Sequence, residues 1–155
     1  MCFDYFLNAD LPRLLIPALT VSAAKDNLWE RSCFEAFIAV EGEKAYHEYN
    51  FSPSRQWAMY AFADYRERVA WQTSQSPTIK RQQKDTQLSI SVTLPAACLP
   101  ANPEKKNVQV GVSAVIETRD GDLSYWALKH PSHRPDFHHR ESFTLSIKPF
   151  NRVML

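Results

Sequence analysis

Glycine is scarce, at three in 155 residues. That leaves no glycine-rich oxyanion loop and no nucleophile elbow of the hydrolase kind. Cysteine is equally sparse: Cys2, Cys33 and Cys98 are odd in number and form no CxxC or zinc spacing, which excludes a disulfide framework. No apolar run approaches the ~20 residues that cross a bilayer. The opening Met1-Cys2-Phe3-Asp4-Tyr5 lacks the basic region and apolar core of a secretory signal. Asn50-Phe51-Ser52 matches a glycosylation sequon in form only. Net charge is +1, so the excess that a general nucleic-acid or anionic-membrane binder carries is missing. The sequence therefore reads as a cytoplasmic protein with three free thiols and neither nucleic acid nor membrane among its partners.

What is present fits a globular chain. Hydrophobic residues make up 45%, charged residues 23% and aromatics 12%, with four tryptophans. Residues 1–155 are expected to form one domain, long enough to bury roughly 70% of the unfolded surface without a metal or disulfide. No internal repeat or low-complexity segment interrupts it.

Period-two alternation recurs almost throughout. Phe3, Tyr5 and Leu7 alternate with Asp4, Phe6 and Asn8. Residues 32–40 and 46–51 read as a hairpin across Glu41-Gly42-Glu43-Lys44, and Gln56 to Phe62 as the next strand. Ile79–Gln83 and Gln87–Leu94 form a second hairpin, closed by Lys84-Asp85-Thr86. Val108 to Ile116 follows, then the Asp120-Gly121 turn signal into Leu123–Leu128. Phe143, Leu145 and Ile147 make a last strand. Proline-rich 94–103 is a connection with one short helical turn at Ala96-Ala97-Cys98, and Asp64 to Trp71 is the only candidate for a longer helix. Many short strands between turn signals mean an all-β antiparallel sandwich or barrel.

Within that frame Glu35 is anomalous. Ser32, Phe34, Ala36 and Ile38 fall on one face of their strand, and Cys33, Glu35 and Phe37 on the other. A carboxylate among apolar neighbours requires a partner or a ligand.

Two groups of residues carry a family resemblance. One is Cys33-Phe34-Glu35-Ala36-Phe37 with Tyr46-His47-Glu48-Tyr49-Asn50-Phe51-Ser52-Pro53-Ser54 and Trp57. The other is Tyr125-Trp126-Ala127-Leu128-Lys129-His130-Pro131 with Pro135-Asp136-Phe137-His138-His139. Together they resemble the DOMON-like bacterial proteins related to family 9 carbohydrate-binding modules. The resemblance implies an immunoglobulin-like or jelly-roll sandwich; related modules bind sugars, or haem in the cytochrome-type members. Two departures stand out. The relatives carry glycine where this chain has Arg55, which costs about 1 kcal/mol if that position needs a positive φ. They also begin with a further strand, so an N-terminal strand is expected to be missing here and one sheet edge open.

The sugar reading has its own chemistry. Flat aromatic faces meet the C–H face of a pyranose, while carboxylates, amides and guanidinium groups bond its hydroxyls. Trp29, Trp57, Trp71 and Trp126 offer platforms, and Arg31, Glu35, Glu48 and Asn50 polar contacts. Asp136 and His138, from the loop, complete the candidate set. The competing assignment puts the tryptophans in the core and pairs the carboxylates with arginines such as Arg66 or Arg68.

The loop His130-Pro131-Ser132-His133-Arg134-Pro135-Asp136-Phe137-His138-His139 matches no compact metal signature, and neither a metal nor another cofactor is assigned. A haem would need Met59 and a loop histidine across one pocket. A nucleophilic enzyme would need Cys33 or Ser52 beside His47 or His138. The basic stretches 79–84 and Lys105-Lys106 suit edge-strand protection. The expected function is non-catalytic binding of a carbohydrate or similar small ligand. The first alternative is a protein-interaction domain docking a partner through an aromatic face, and the next a haem- or metal-binding protein.

Overall fold

Phe3, Tyr5 and Leu7 are half-buried while Cys2, Asp4, Phe6 and Asn8 between them are exposed, so strand β1 (Cys2–Asn8) turns one face to the core. A computed structural model describes residues 1–148 of the chain. Nine further strands follow: β2 (Cys33–Val40), β3 (Tyr46–Phe51), β4 (Trp57–Asp64), β5 (Glu67–Val69), β6 (Thr78–Lys84), β7 (Gln87–Thr93), β8 (Val108–Glu117), β9 (Leu123–Ala127) and β10 (Leu145–Ile147). They form two sheets. The smaller has the order β1-β7-β6; the larger runs β10-β8-β2-β3-β4-β5, with β9 also paired to β8. Every strand pairing is antiparallel. The chain is an all-β sandwich, as the alternation implies.

The two hairpins form with the expected partners, β2 with β3 and β6 with β7. The turn at Ala96–Cys98 is a single 3₁₀ turn. Two expectations are corrected. Asp64 to Trp71 is not a helix: β4 ends in a bulge between Phe62 and Asp64, Arg66 takes a positive φ of 57°, and the chain returns as β5. The segment has no apolar stripe to anchor a helix, and a strand pairing satisfies its backbone instead. Phe143 is not in β10 but ends the 3₁₀ turn Arg140–Ser142, where its ring packs into the core.

Arg55 has a φ of 76°, the left-handed conformation that would favour glycine. Its backbone N–H donates to Ser52 O at 2.9 Å and its guanidinium to Thr20 O at 2.8 Å, which holds the turn in place despite the strain.

The larger sheet is covered on both faces. On one, Phe34, Ala36, Ile38, Tyr49, Phe51, Val110 and Ile116 meet Ile79, Leu88, Ile90 and Val92 of the smaller sheet. On the other, Cys33, Phe37, Ala39, Tyr46, Ala58, Tyr60 and Phe62 are covered by Leu28, Phe137 and Phe143 from loops. That is why all eight residues of β2 are buried. Gly111 makes room for the second layer, since a Cβ there would stand 3.0 Å from the Phe143 ring. Loops cover this face less completely than a sheet would, and a hollow remains.

Candidate functional site

The hollow has a volume of about 530 Å³, within the ~300–1,000 Å³ typical of small-molecule sites. Strand register assembles it. Glu35 lies opposite Asn50 and Ser113, and Phe37 opposite Glu48, which lies in turn opposite Tyr60. Directly paired residues share a face, so Glu35 and Glu48 stand diagonally across β2 and β3 on one floor with Phe37, Tyr60 and Phe62. Arg66 and Arg68 form one wall, Val115 and Tyr125 another. Asn27 and Trp29 close one end, and Pro135, Phe137 and His138 roof it from the loop.

Trp29 reaches the rim because Asn27 takes a positive φ of 60°, a conformation asparagine tolerates. The 3₁₀ turn Leu28–Glu30 that follows buries Leu28 and leaves Trp29 half exposed at 50%. Tyr60 is fixed by a hydrogen bond from its hydroxyl to Asp26 Oδ1 at 2.7 Å. Arg68 lies 4.0 Å over the Tyr60 ring, and Arg66 pairs with Asp136 Oδ1 at 2.9 Å.

The two carboxyls differ in their support. Glu35 is only 3% exposed and accepts one hydrogen bond, from Ser113 Oγ to its Oε2 at 3.3 Å. Among the described residues no group bonds its Oε1, and no basic side chain pairs with it. Burial, with the nearby Glu48 charge, pushes Glu35 up to about 8; hydrogen-bond donation by Ser113 only partly offsets this. Glu48 accepts from Asn50 Nδ2 at 2.7 Å, and burial raises its pKa as well.

His138 faces Glu48 from the roof, its Nε2 3.6 Å from Glu48 Oε2. Burial holds it down to about 4, so near neutral pH it is uncharged and the two do not form an ion pair. The Tyr46 hydroxyl accepts from the Arg66 backbone N–H at 3.0 Å and lies 2.8 Å from His138 Nδ1. With the hydroxyl as donor in that pair, the imidazole proton is on Nε2 and faces Glu48.

Of the residues expected at a site, Trp29, Glu35, Glu48 and His138 come together here. The others are placed elsewhere. Asn50 is fully buried behind Glu48, with its Oδ1 accepting from Cys33 Sγ at 3.6 Å, so it orients the carboxylate and does not line the hollow. Asp136 anchors the loop through Arg66, Tyr65 and the His138 N–H. Arg31 pairs with Glu117 at 2.6 Å outside the lining. Trp57 lies opposite Phe51 and packs on the sandwich-core face, the reverse of the expected side. Trp126 lies opposite Ala114 and borders a separate apolar hollow of about 560 Å³ between β1 and β9, with Phe6, Leu14 and Leu128. Both corrections have one cause: tryptophan type says nothing of side, and register decides it.

The remaining alternatives are constrained by the same geometry. Met59 lies opposite Tyr49 on the core face, whereas His138 sits on the other, so the two do not flank one haem. Cys33 is fully buried, and burial pushes its thiol well up. His47 is on the opposite face of the sheet against Trp71, ring centres 4.5 Å apart. Among the described residues no three His, Cys, Asp or Glu side chains group as metal ligands. His139 turns away from His138 and caps the next turn, accepting from the Glu141 N–H at 3.3 Å.

Sequence reading passed over the aromatic floor and walls. Tyr60 and Phe62 were open to discovery, since pairing the 46–51 strand with the next one puts them beside Glu48 and Tyr46. Tyr125, Phe137 and Asn27 carry no such signal, because loop and edge geometry places them.

No protein-family model matches the chain, and no curated protein matches it. Among solved structures it is similar to a candidate carbohydrate-binding protein from Bacteroides uniformis. The TM-score is 0.58 at 13% identity, over 90% of this chain and 67% of that one. At that identity the likeness shows the fold, a β-sandwich also used by a protein of that description.

Proposed function

We propose that the chain is a non-catalytic ligand-binding module whose hollow on the larger sheet takes a carbohydrate. The observation that carries this is the floor itself: two buried carboxyls, Glu35 and Glu48, set among Phe37, Tyr60 and Phe62 with Trp29 at the rim. Aromatic faces for the ring and carboxyl oxygens for the hydroxyls are what a sugar requires. The DOMON-like resemblance of residues 33–37, 46–54, Trp57, 125–131 and 135–139 supports the same reading, as does the description of the Bacteroides structure. A reducing, cytoplasmic setting belongs to the proposal; Cys2, Cys33 and Cys98 are all unpaired.

Calorimetric titration with a panel of neutral, amino and acidic oligosaccharides tests it. Saturable binding of at least one, abolished by Trp29→Ala together with Glu48→Gln in a folded protein, is expected. Failure of every glycan to bind would sink the reading.

A partner-docking role draws on a different place. Phe6, Trp126 and Leu128 are exposed around the apolar hollow between β1 and β9, a patch of the kind that marks interaction surfaces. Trp126→Ser separates the two readings, because it leaves the glycan titration unchanged if the ligand sits over Glu48.

A further inference from the structure

Glu35 presents a problem that a neutral sugar does not solve. It is buried, lines the hollow, and has Oε1 free of any bond among the described residues. Its neighbour Glu48 stands diagonally across the β2–β3 pair, a separation of roughly 7–8 Å between backbones that long side chains bridge. Two acids thus share one floor.

The cations in view are already committed. Arg66 is held by Asp136 at 2.9 Å and by the Tyr65 hydroxyl at 3.2 Å, and Arg68 is stacked on Tyr60. Both lower the Glu48 pKa through space, yet neither touches a carboxyl of the floor. His138 is neutral near pH 7, for the reason given above. Cys33 and Ser113, on the two sides of Glu35, bring no positive charge. A neutral ligand would leave Glu35 holding the proton that burial beside Glu48 imposes on it near neutral pH. The rest of the floor suits a cation: the rings of Phe37, Tyr60 and Phe62 line it, Tyr60 already holds the Arg68 guanidinium at 4.0 Å over one face, and two carboxyls offer charge-assisted acceptors.

We propose that the ligand carries a protonated amine that seats between Glu35 and Glu48; resting on the glycan reading, this makes it a sugar with a free amino group. The ammonium takes the place of the proton that Glu35 holds without a ligand, which leaves to solvent, and donates to the free Oε1 of Glu35 as the counter-charge that the protein withholds. An N-acetylated sugar, which has no charge, does not meet that need.

The test uses β-1,4-linked oligomers of equal length that differ only at C2: glucosamine, glucose and N-acetylglucosamine, each titrated calorimetrically into the full chain near neutral pH. The glucosamine oligomer is expected to bind roughly tenfold or more tighter than the other two. Glu35→Gln and Glu48→Gln should each erase most of that advantage, and Glu104→Gln, an exposed charge outside the lining of the hollow, should keep it. Equal or tighter binding of the glucose oligomer overturns the amine while leaving the glycan reading standing. Binding of none of the three overturns the amine proposal; silence across the wider panel would overturn the glycan reading as well. Should a Gln variant fail to fold by circular dichroism, the comparison of oligomers on the unaltered chain still decides. An undiminished glucosamine preference in both folded Gln variants would overturn the placement.

Discussion

Asn50 donates from Nδ2 to Glu48 Oε1 at 2.7 Å, two residues along the same face of β3. The amide is sealed and the carboxylate is at the surface of the hollow, so one side chain aims the other. The expected partition of Asn50 as a ligand contact therefore gives way to a positioning role.

Asn50→Ala should destabilise the fold by about 1–3 kcal/mol. It strips Glu48 Oε1 of its donor and Cys33 Sγ of one acceptor, both in buried surroundings. Urea unfolding gives the number. A wild-type midpoint combined with lost ligand affinity would contradict the assignment and restore Asn50 to the binding surface.

Stability should fall as pH rises from about 6.5 to about 8. The sign follows from the shift. Glu35 moves from 4.5 unfolded to about 8 folded, so across that window the native state holds a proton that the unfolded state has lost, and folding weakens with rising pH. Glu48 is raised too and acts in the same direction. His138, lowered from 6.5 to about 4, acts oppositely but only below 6.5, where its contribution is lost as pH falls. The slope is at most about 1.4 kcal/mol per pH unit for each proton. Glu35→Gln should flatten it, as read by denaturant midpoints at several pH values. A stability that climbs between 6.5 and 8 would refute the burial argument.

The tryptophans should divide by face. Trp29→Ala is expected to weaken ligand binding with little change in melting temperature, since the ring is half exposed at the rim. Trp57→Ala should lower stability and spare binding, because the ring packs against the sandwich core. Finding that Trp57 and not Trp29 governs affinity would show that the ligand sits elsewhere.

Gly111 is predicted to admit no larger residue cheaply. A Cβ would meet the Phe143 ring at 3.0 Å and Ser142 O at 3.4 Å, so Gly111→Val should push the 137–143 segment off the sheet and cost roughly 1–3 kcal/mol. Because that segment carries Phe137 and His138 to the roof, ligand affinity should fall with it. Unchanged proteolysis of this loop in the variant would argue against the coupling.

Most of the strands were legible in the sequence because alternation is a local property. Val92 faces in and Ser91 faces out wherever β7 lies, so period two announces the strand before any partner is known. The two hairpins were legible for the same reason, with turn residues fixing short connections. Asp64 to Trp71 was not, since its pattern is weak and the return as β5 depends on pairing with β4.

The site divides along the same line. Sequence alone determined that Glu35 shares a strand face with Cys33 and Phe37, and that Tyr46, Glu48 and Asn50 share another, because side-chain direction alternates along any strand. Which face became the hollow, and which tryptophan reached it, only the tertiary structure decided. Trp29 and Trp57 are alike as residues. One is carried to the rim by the left-handed turn at Asn27 and the other is set opposite Phe51 by a pairing register. Register and loop path are relations between distant segments, and no local pattern encodes them.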